Sequence, residues 1–498
     1  MVSVSEHRRS AATRSGSSAE PRQDGSVVSA DDGSAVKLPR VLISAPGSGH
    51  GKTMVATGIM AALRDRGLEV SPHKVGPDYI DPGYHSAACG RAGRNLDPYL
   101  QGEQRVSPLL VHGAVTPRAA DIAIIEGVMG LFDGAIGTGG FSSSAHVARL
   151  VQAPVVLVVD CAAAGRSVGA VVHGFSRFDA TVRVAGVILN NVGSLRHESE
   201  ARHGVLETGL PVLGVIPRLP DVVVPSRHLG LIPVAERQPA ALEAVAALSL
   251  MADKYIDLEA LVDLARSAPD LDVQPWDPMV EVGEAEAEAR PGRAPRIALA
   301  GGAAFSFGYA ETSELLVAAG ADVVGFDPLH DESLPAGVSG LLIGGGFPEV
   351  HATDLAANTP LRRVIRKFAD DGGAIAAECA GLLYLGRELD GAPMCDVLPL
   401  TARMGPRLTL GYRTAVALSD NVLCSPGQRV NGHEFHRTQV DLDADDAALA
   451  AWAWQDGDSR PVSEGLTRGA VHASFLHVHW AGYPALAARF VARCGEVV

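Results

Sequence analysis

Five short runs of almost wholly apolar residues constrain the fold more than any other feature of the chain. They are PRVLISA (39–45), DIAIIEG (121–127), APVVLVVDC (153–161), RVAGVILNN (183–191) and LPVLGVIPR (210–218). Each has strand length and lacks the apolar/polar alternation of a half-exposed strand. Strands buried on both faces need helices on both sides, so the pattern predicts an open, mostly parallel α/β sheet. A second α/β rhythm follows at IALAGG (297–302), ADVVGFDP (321–328), GLLIGGG (340–346) and GAIAAEC (373–379). The chain therefore reads as α/β, with two open, mostly parallel-sheet domains.

Length supports this division, because 498 residues exceed one ordinary core. Residues 1–36, rich in Ser, Ala, Gly and charge without apolar periodicity, read as a disordered leader. The first domain is expected over 37–240 and the second over 291–498. Between them, 241–290 reads as a helical and acidic linker region that runs into the exposed stretch EVGEAEAEARPGRAPR (281–296). A formal net charge of -15 argues against a broad surface for nucleic acid or anionic membrane. No apolar run reaches the roughly eighteen residues of a membrane span, and the N-terminus lacks a signal-peptide pattern, so a cytoplasmic location is expected. The six cysteines are scattered without CxxC spacing and read as free thiols.

The first chemical constellation begins at APGSGHGKT (45–53), between a strand and VATGIMAALRDRG (55–67), whose apolar residues repeat at helical spacing. Backbone N–H groups of a loop rich in Gly47, Gly49 and Gly51 can cradle phosphate oxygens, Lys52 can reach terminal phosphates and Thr53 can bind magnesium. This is a Walker A loop with one departure, since Pro46 stands where the first glycine of the motif belongs. In HKVGPDYIDPGYH (73–85), Asp78 and Asp81 could face a metal or a reacting phosphate, and their spacing suits a solvated turn equally well. Glu126 ends a buried strand, where an acid can hold magnesium beside Thr53, and Asp133 follows in EGVMGLFDG (126–134) either as an orienting group or as a turn residue. Asn190 and Asn191 end another strand, where amides could read a purine edge or shape a turn.

The second constellation centres on GGAIAAECAGLLYLG (372–386). Cys379 lies between a strand and a small residue followed by glycine, as in a tight strand-to-helix elbow that exposes a thiol and lowers its pKa. The Ala380 amide, with an N–H from Gly345 or Gly346 in GGGFPE (344–349), could form an oxyanion hole. A base could come from NGHEFHRT (431–438) or from SFLHVHWAGYP (474–484), where His477 and His479 share one face of an extended chain.

Taken in order, APGSGHGKT, KVGPDYIDPGYH, NLDPYL (95–100), EGVMGLFDG, GGGFPE, AECAGLLYL (377–385), GHEFHRT and FLHVHW closely resemble the cobyrinic acid and hydrogenobyrinic acid a,c-diamide synthases, from about residue 39 to about 490. The resemblance implies an N-terminal P-loop synthetase domain, similar to dethiobiotin synthetase and using ATP with Mg2+, and a C-terminal class I glutamine amidotransferase domain. It implies Cys379 as nucleophile and His477 as its base. Asp78, Tyr79, Ile80, Asp81, Glu126 and Asp133 would line the synthetase site, with Tyr79 and Ile80 helping to place the substrate carboxylate. The partners it implies are L-glutamine, hydrogenobyrinic acid or cobyrinic acid, and a second copy of the chain in a homodimer. The acid that follows the base by two positions in class I amidotransferases is replaced here by His479, which leaves the group that orients His477 open. Another tetrapyrrole amidase is the nearest alternative, and a P-loop switch protein with a non-catalytic second domain is a more distant one.

Overall fold

The computed structural model describes residues 35–220, 226–227, 230–283, 294–442, 450–457 and 459–496. The expected leader, up to residue 34, and the acidic stretch 284–293 lie outside the described residues.

The first sheet has seven parallel strands: β1 (Arg40–Ser44), β2 (Val70–Val75), β3 (Arg94–Leu96), β4 (Ile122–Glu126), β5 (Val155–Asp160), β6 (Val184–Val192) and β7 (Val212–Pro217). Their order is β3-β2-β4-β1-β5-β6-β7. Along β1, Val41 and Ile43 enter one apolar cluster and Leu42 the other, so side chains alternate between two covered faces. The five apolar runs of the sequence all form strands here. The sequence did not announce β2 and β3, because Pro72 cannot donate to a ladder and His73, Lys74, Arg94 and Asn95 are polar. Both strands are nevertheless fully buried.

Helix α1 (Lys52–Asp65) follows β1, and the helix Gln238–Tyr255 packs across it. Gly58 permits this close approach, since a Cβ there would lie 2.6 Å from the Leu248 carbonyl oxygen. Helix α2 (Asp81–Cys89) follows β2, so the segment 76–80 crosses the carboxyl ends of the strands.

The second sheet starts with parallel strands β8 (Arg296–Ala300), β9 (Asp322–Phe326), β10 (Val338–Ile343) and β11 (Ala374–Glu378), in the order β9-β8-β10-β11. Val471–Ser474 extends the parallel set beside β11. Beyond it the sheet turns antiparallel through Pro461–Arg468, Ala450–Gln455, Leu400–Ala417 and Arg429–Leu442. The short strand His477–Val478 pairs with Arg429–Leu442 and sets His477 opposite His433.

Between the two units, buried polar groups meet specific partners. Arg94, with a side chain only 4% exposed, pairs with Glu311 at 2.8 Å and Glu314 at 2.5 Å. Tyr412 donates to Asp97 at 2.7 Å, and Gln101 meets His479 at 2.9 Å. Gly482 lies so close to the Leu100 carbonyl that a Cβ would come within 2.1 Å of it. Arg91 donates through Nη2 to the carbonyls of Gly113 and Thr116, and Arg94 is taken up by its two glutamates.

Replacing Arg94 with Met strands the buried Glu311 carboxylate, and stability should fall by roughly 3–5 kcal/mol. Urea unfolding should show a lower midpoint for Arg94→Met, and addition of Glu311→Gln should restore part of the loss.

Candidate functional site

The phosphate loop joins β1 to α1. Gly49 and Gly51 adopt positive φ of 84° and 90°, a region only glycine enters without strain. At Gly51 space is also lacking, because a Cβ would lie 2.4 Å from Asn190 Nδ2. That amide donates to the His50 carbonyl at 3.0 Å, and the Asp160 N–H donates to His50 Nδ1 at 2.9 Å. The ends of β5 and β6 therefore brace the loop. Asn190 accepts from the N–H of Asn191, which itself sits at φ 59°. The Lys52 ammonium folds over the loop and donates to Gly47 O at 2.8 Å. Burial first, then the nearby Lys74, lowers its pKa to about 8.

Beneath the loop lies a buried charge cluster. Lys74 Nζ donates to Asp81 Oδ2 at 2.6 Å and to Glu126 Oε1 at 2.8 Å, while His85 Nε2 lies 2.7 Å from Glu126 Oε2. Thr53 Oγ1 joins them, 2.6 Å from Glu126 Oε1 and 3.2 Å from Asp81 Oδ2. Burial alone would lower the Lys74 pKa, but Asp81 and Glu126 more than reverse this and hold it above its ordinary value. Burial would raise Glu126, and Lys74 and His85 outweigh it, keeping that carboxylate ionised. Asp81 goes the other way, pushed up to about 8 by burial and by Asp78.

Of the expected acids, Asp81 and Glu126 meet Thr53, whereas Asp78 does not. Asp78 Oδ1 instead accepts from the N–H groups of Ile80 and Asp81, shaping the entry into α2. Asp133 Oδ2 accepts from Gly130 N–H at 3.0 Å, closing its own turn. Lys74 and His85 complete the cluster, and both lie in the segment that drew attention to Asp78 and Asp81.

The same segment reaches the other unit. Ile80 packs in a cluster containing Phe307 and Phe347. Tyr79 stacks on Phe307, with centroids 5.2 Å apart, and lies 4.6 Å from Tyr309 and 5.1 Å from the His477 ring. Tyr79 and Ile80 also line a cleft of about 440 Å³ with Pro233, Gln238 and Ser306. A larger cleft of about 700 Å³ opens beside β7, between residues such as Val192, Pro217 and Tyr255, and holds neither constellation. Convergence of reactive groups, not cleft size, marks the chemistry.

Cys379 occupies the elbow expected of it, but the residue is buried, at 5% exposure, where an exposed thiol was expected. Its φ of 50° and ψ of -100° are strained for a side-chain-bearing residue, and its N–H donates to Ser474 O at 2.7 Å. The glycine turn 344–346 closes against the elbow: the Gly381 N–H donates to Gly344 O at 3.1 Å, and a Cβ on Gly345 would meet His477 Cε1 at 2.7 Å. Gly345 and His477 are therefore neighbours, and the glycine turn lies against the start of the helix that carries Ala380.

His477 and His479 diverge. Burial would depress His477, but Cys379 and then Glu378 raise its pKa to about 10. His479 faces the first unit, stacks on Tyr309 at 4.0 Å and, desolvated, falls to about 4. Glu378 carries no signal of its own in the sequence, because class I amidotransferases place the orienting acid after the base. His433, from GHEFHRT, stacks on His477 at 5.0 Å and is kept neutral by burial and by that neighbour.

A nucleotide-type phosphate loop on one sheet and a cysteine elbow paired with histidine on the other define a two-domain ligase that takes nitrogen from glutamine. Two family models match accordingly: the CobQ/CobB/MinD/ParA nucleotide binding domain over residues 41–232, and the CobB/CobQ-like glutamine amidotransferase domain over 296–485. The hydrogenobyrinate a,c-diamide synthase of Streptomyces coelicolor is 55% identical over 94% of this chain and 99% of its own length. That of Thermobifida fusca is 52% identical over 92% and 97%, and the cobyrinate a,c-diamide synthase of Gloeobacter violaceus is 41% identical over 91% and 96%. The chain belongs to the cobyrinate/hydrogenobyrinate a,c-diamide synthase family. It is an ATP-dependent, glutamine-hydrolysing carbon–nitrogen ligase.

Because Gly51 combines a left-handed φ with contact to Asn190, Gly51→Ala should weaken ATP binding at least about tenfold, equivalent to about 1.4 kcal/mol. Titration calorimetry with a non-hydrolysable ATP analogue measures this, and glutamine hydrolysis in the absence of ATP should be preserved.

Proposed function

We propose that the enzyme converts the a and c side-chain carboxylates of hydrogenobyrinate to amides, in two rounds of the same chemistry. The observation that carries this reading is the placement of both constellations at one domain interface, with Tyr79 in ring contact with His477 and two residues from Asp81. The metal-free ring is favoured over cobyrinate because the relatives at 55% and 52% identity carry the hydrogenobyrinate name.

In the synthetase half, loop amides around Gly47, Gly49 and Gly51 hold the ATP phosphates, and Lys52 offsets charge on the transferring phosphoryl group. The substrate carboxylate attacks the γ-phosphorus, ADP leaves, and ammonia then displaces phosphate from the acyl phosphate to form the amide. Hard oxygen donors suit magnesium, which uses one or two carboxylates together with substrate phosphates. Thr53, Glu126 and Asp81 fit that requirement as the converging donors, with Asp78 behind them fixing the turn. When bound, the ion would neutralise phosphate charge. Tyr79 and Ile80 help place the carboxylate from the wall of their cleft, Asp133 shapes the adjoining turn, and Asn190 with Asn191 supports the nucleotide end of the loop.

In the other half, the Cys379 thiolate attacks the side-chain amide carbon of L-glutamine. The oxyanion is met by N–H groups of Ala380 and of Gly345 or Gly346. His477 gives its proton to the departing ammonia, then takes one from the water that hydrolyses the thioester. Among the described residues no helix is long and apolar enough to cross a membrane.

High-resolution mass spectrometry of products from hydrogenobyrinic acid and, separately, cobyrinic acid should show a monoamide and then a diamide, with one ADP per amide. Cys379→Ala should abolish glutamine-supported turnover and retain turnover with ammonium, whereas Lys52→Ala should lose both. Amidation of neither acid by folded enzyme that turns over ATP would overturn the substrate assignment.

A further inference from the structure

His477 has an unfilled requirement. Its Nδ1 is fully buried and lacks a hydrogen-bond partner, and an orphaned buried ring nitrogen is costly. The position two residues onward, where a class I triad places its acid, is His479, committed to Gln101 at 2.9 Å and to the Tyr309 ring. The groups facing His477 are Cys379 and Glu378 from the end of β11, His433 from Arg429–Leu442, and Tyr79 from the first domain. Only Glu378 is a carboxylate. Its Oε2 lies 3.7 Å from His477 Nδ1, while its Oε1 accepts from Val478 N–H at 3.5 Å, on the strand that carries His477.

We infer that Glu378 is the positioning residue of the glutaminase site, a third triad member supplied by the residue before the nucleophile. Its carboxylate accepts the Nδ1 proton of His477, fixing the tautomer and leaving Nε2 to exchange protons with the Cys379 sulfur. The 3.7 Å separation is longer than a hydrogen bond, and an approach of less than about 1 Å would make one, as catalytic contacts commonly tighten once substrate is bound. The raised His477 pKa accords with the same arrangement. Parallel pairing explains why this acid is in reach: Glu378 is the register partner of Ser474, three residues before His477.

The inference rests on the reading of Cys379 and His477 as the glutaminase pair, and Cys379→Ala separates the two: retained glutamine hydrolysis in that variant would sink the pair itself. With the pair upheld, Glu378→Gln should lower kcat for glutamine hydrolysis about 100-fold with little change in KM, while ammonium-supported amidation reports an intact fold. Without the carboxylate the imidazolium loses its proton more easily, so the basic limb of the glutaminase kcat/KM profile should move to lower pH. Glu378→Asp should restore part of kcat. Wild-type kcat and an unchanged basic limb in Glu378→Gln would overturn the assignment. Should Glu378→Gln also lose ammonium-supported activity, NMR of the wild-type enzyme labelled with 15N-histidine decides. A low-field Nδ1 proton absent from His477→Asn supports the assignment, and an Nε2–H tautomer overturns it.

Discussion

The geometry of the synthetase half depends on one buried ammonium. Lys74 and Glu126 are register partners across β2 and β4, and Ile43 of β1 faces Glu126 from the other side. Parallel pairing therefore fixes Lys74, Glu126 and the start of the phosphate loop at one level of the sheet. Without Lys74, Asp81 and Glu126 would be two carboxylates in a dry site, and like charges at that range suppress each other's ionisation. With it, the acids draw together β4, α2 and, through Thr53, the start of α1. The segment 76–80 is then held at both ends and has little freedom in where it presents Tyr79.

That placement links the two halves. Tyr79 makes ring contacts with Phe307, Tyr309, His433 and His477, all from the second unit. A shift of the loop that carries Asp78 and Asp81 must therefore displace a ring packed on the proposed base. Arg94 with its two glutamates and Gln101 with His479 hold the surrounding interface through buried polar contacts, which tolerate misalignment poorly. Any change in the relative position of the units would act on His477 directly.

Much of this was legible in the sequence, for a definite reason. Strands buried on both faces must be apolar throughout, and loops that hold phosphate or build an elbow need glycine, so β1, β4 to β7, β10, β11, the phosphate loop and Cys379 all stand out, while β8 and the edge strand β9 are apolar without being buried throughout. β2 and β3 were hidden because polar residues there serve the site and the interface. The antiparallel part of the second sheet was hidden because strands such as Leu400–Ala417 bury only a few residues near their ends and carry no continuous apolar signal. At the sites, residue types were legible but pairings were not. Asp78 and Asp81 are equivalent on spacing, and only the turn that Asp78 closes decides which of them meets Thr53. Glu378 stood in plain view beside the nucleophile, yet its nearness to His477 arises from pairing between β11 and Val471–Ser474, a long-range contact without local signature.

The two halves answer the cost of buried charge in the same way. The five other cysteines are free and buried, and desolvation pushes their thiols up to about 11 or 12, where they are inert. Cys379 is nearly as buried but has an imidazole beside it, and that ring is in turn held above its ordinary pKa. In the proposed mechanism a thiolate formed beside that imidazolium would make a neutral pair, as Lys74 does with a single carboxylate, and a neutral pair can be desolvated where a lone ion cannot. Each pair is buried next to a second acid, Asp81 in one site and Glu378 in the other, and burial together with Asp78 lets Asp81 keep its proton well above the usual carboxylate range. A cation entering the synthetase site would favour ionisation of Asp81, and the imidazolium would be stabilised by Glu378. The net acidity of the chain is thus compatible with a polyanionic substrate, because the acids nearest the chemistry already have cationic neighbours and do not face the substrate as bare charge.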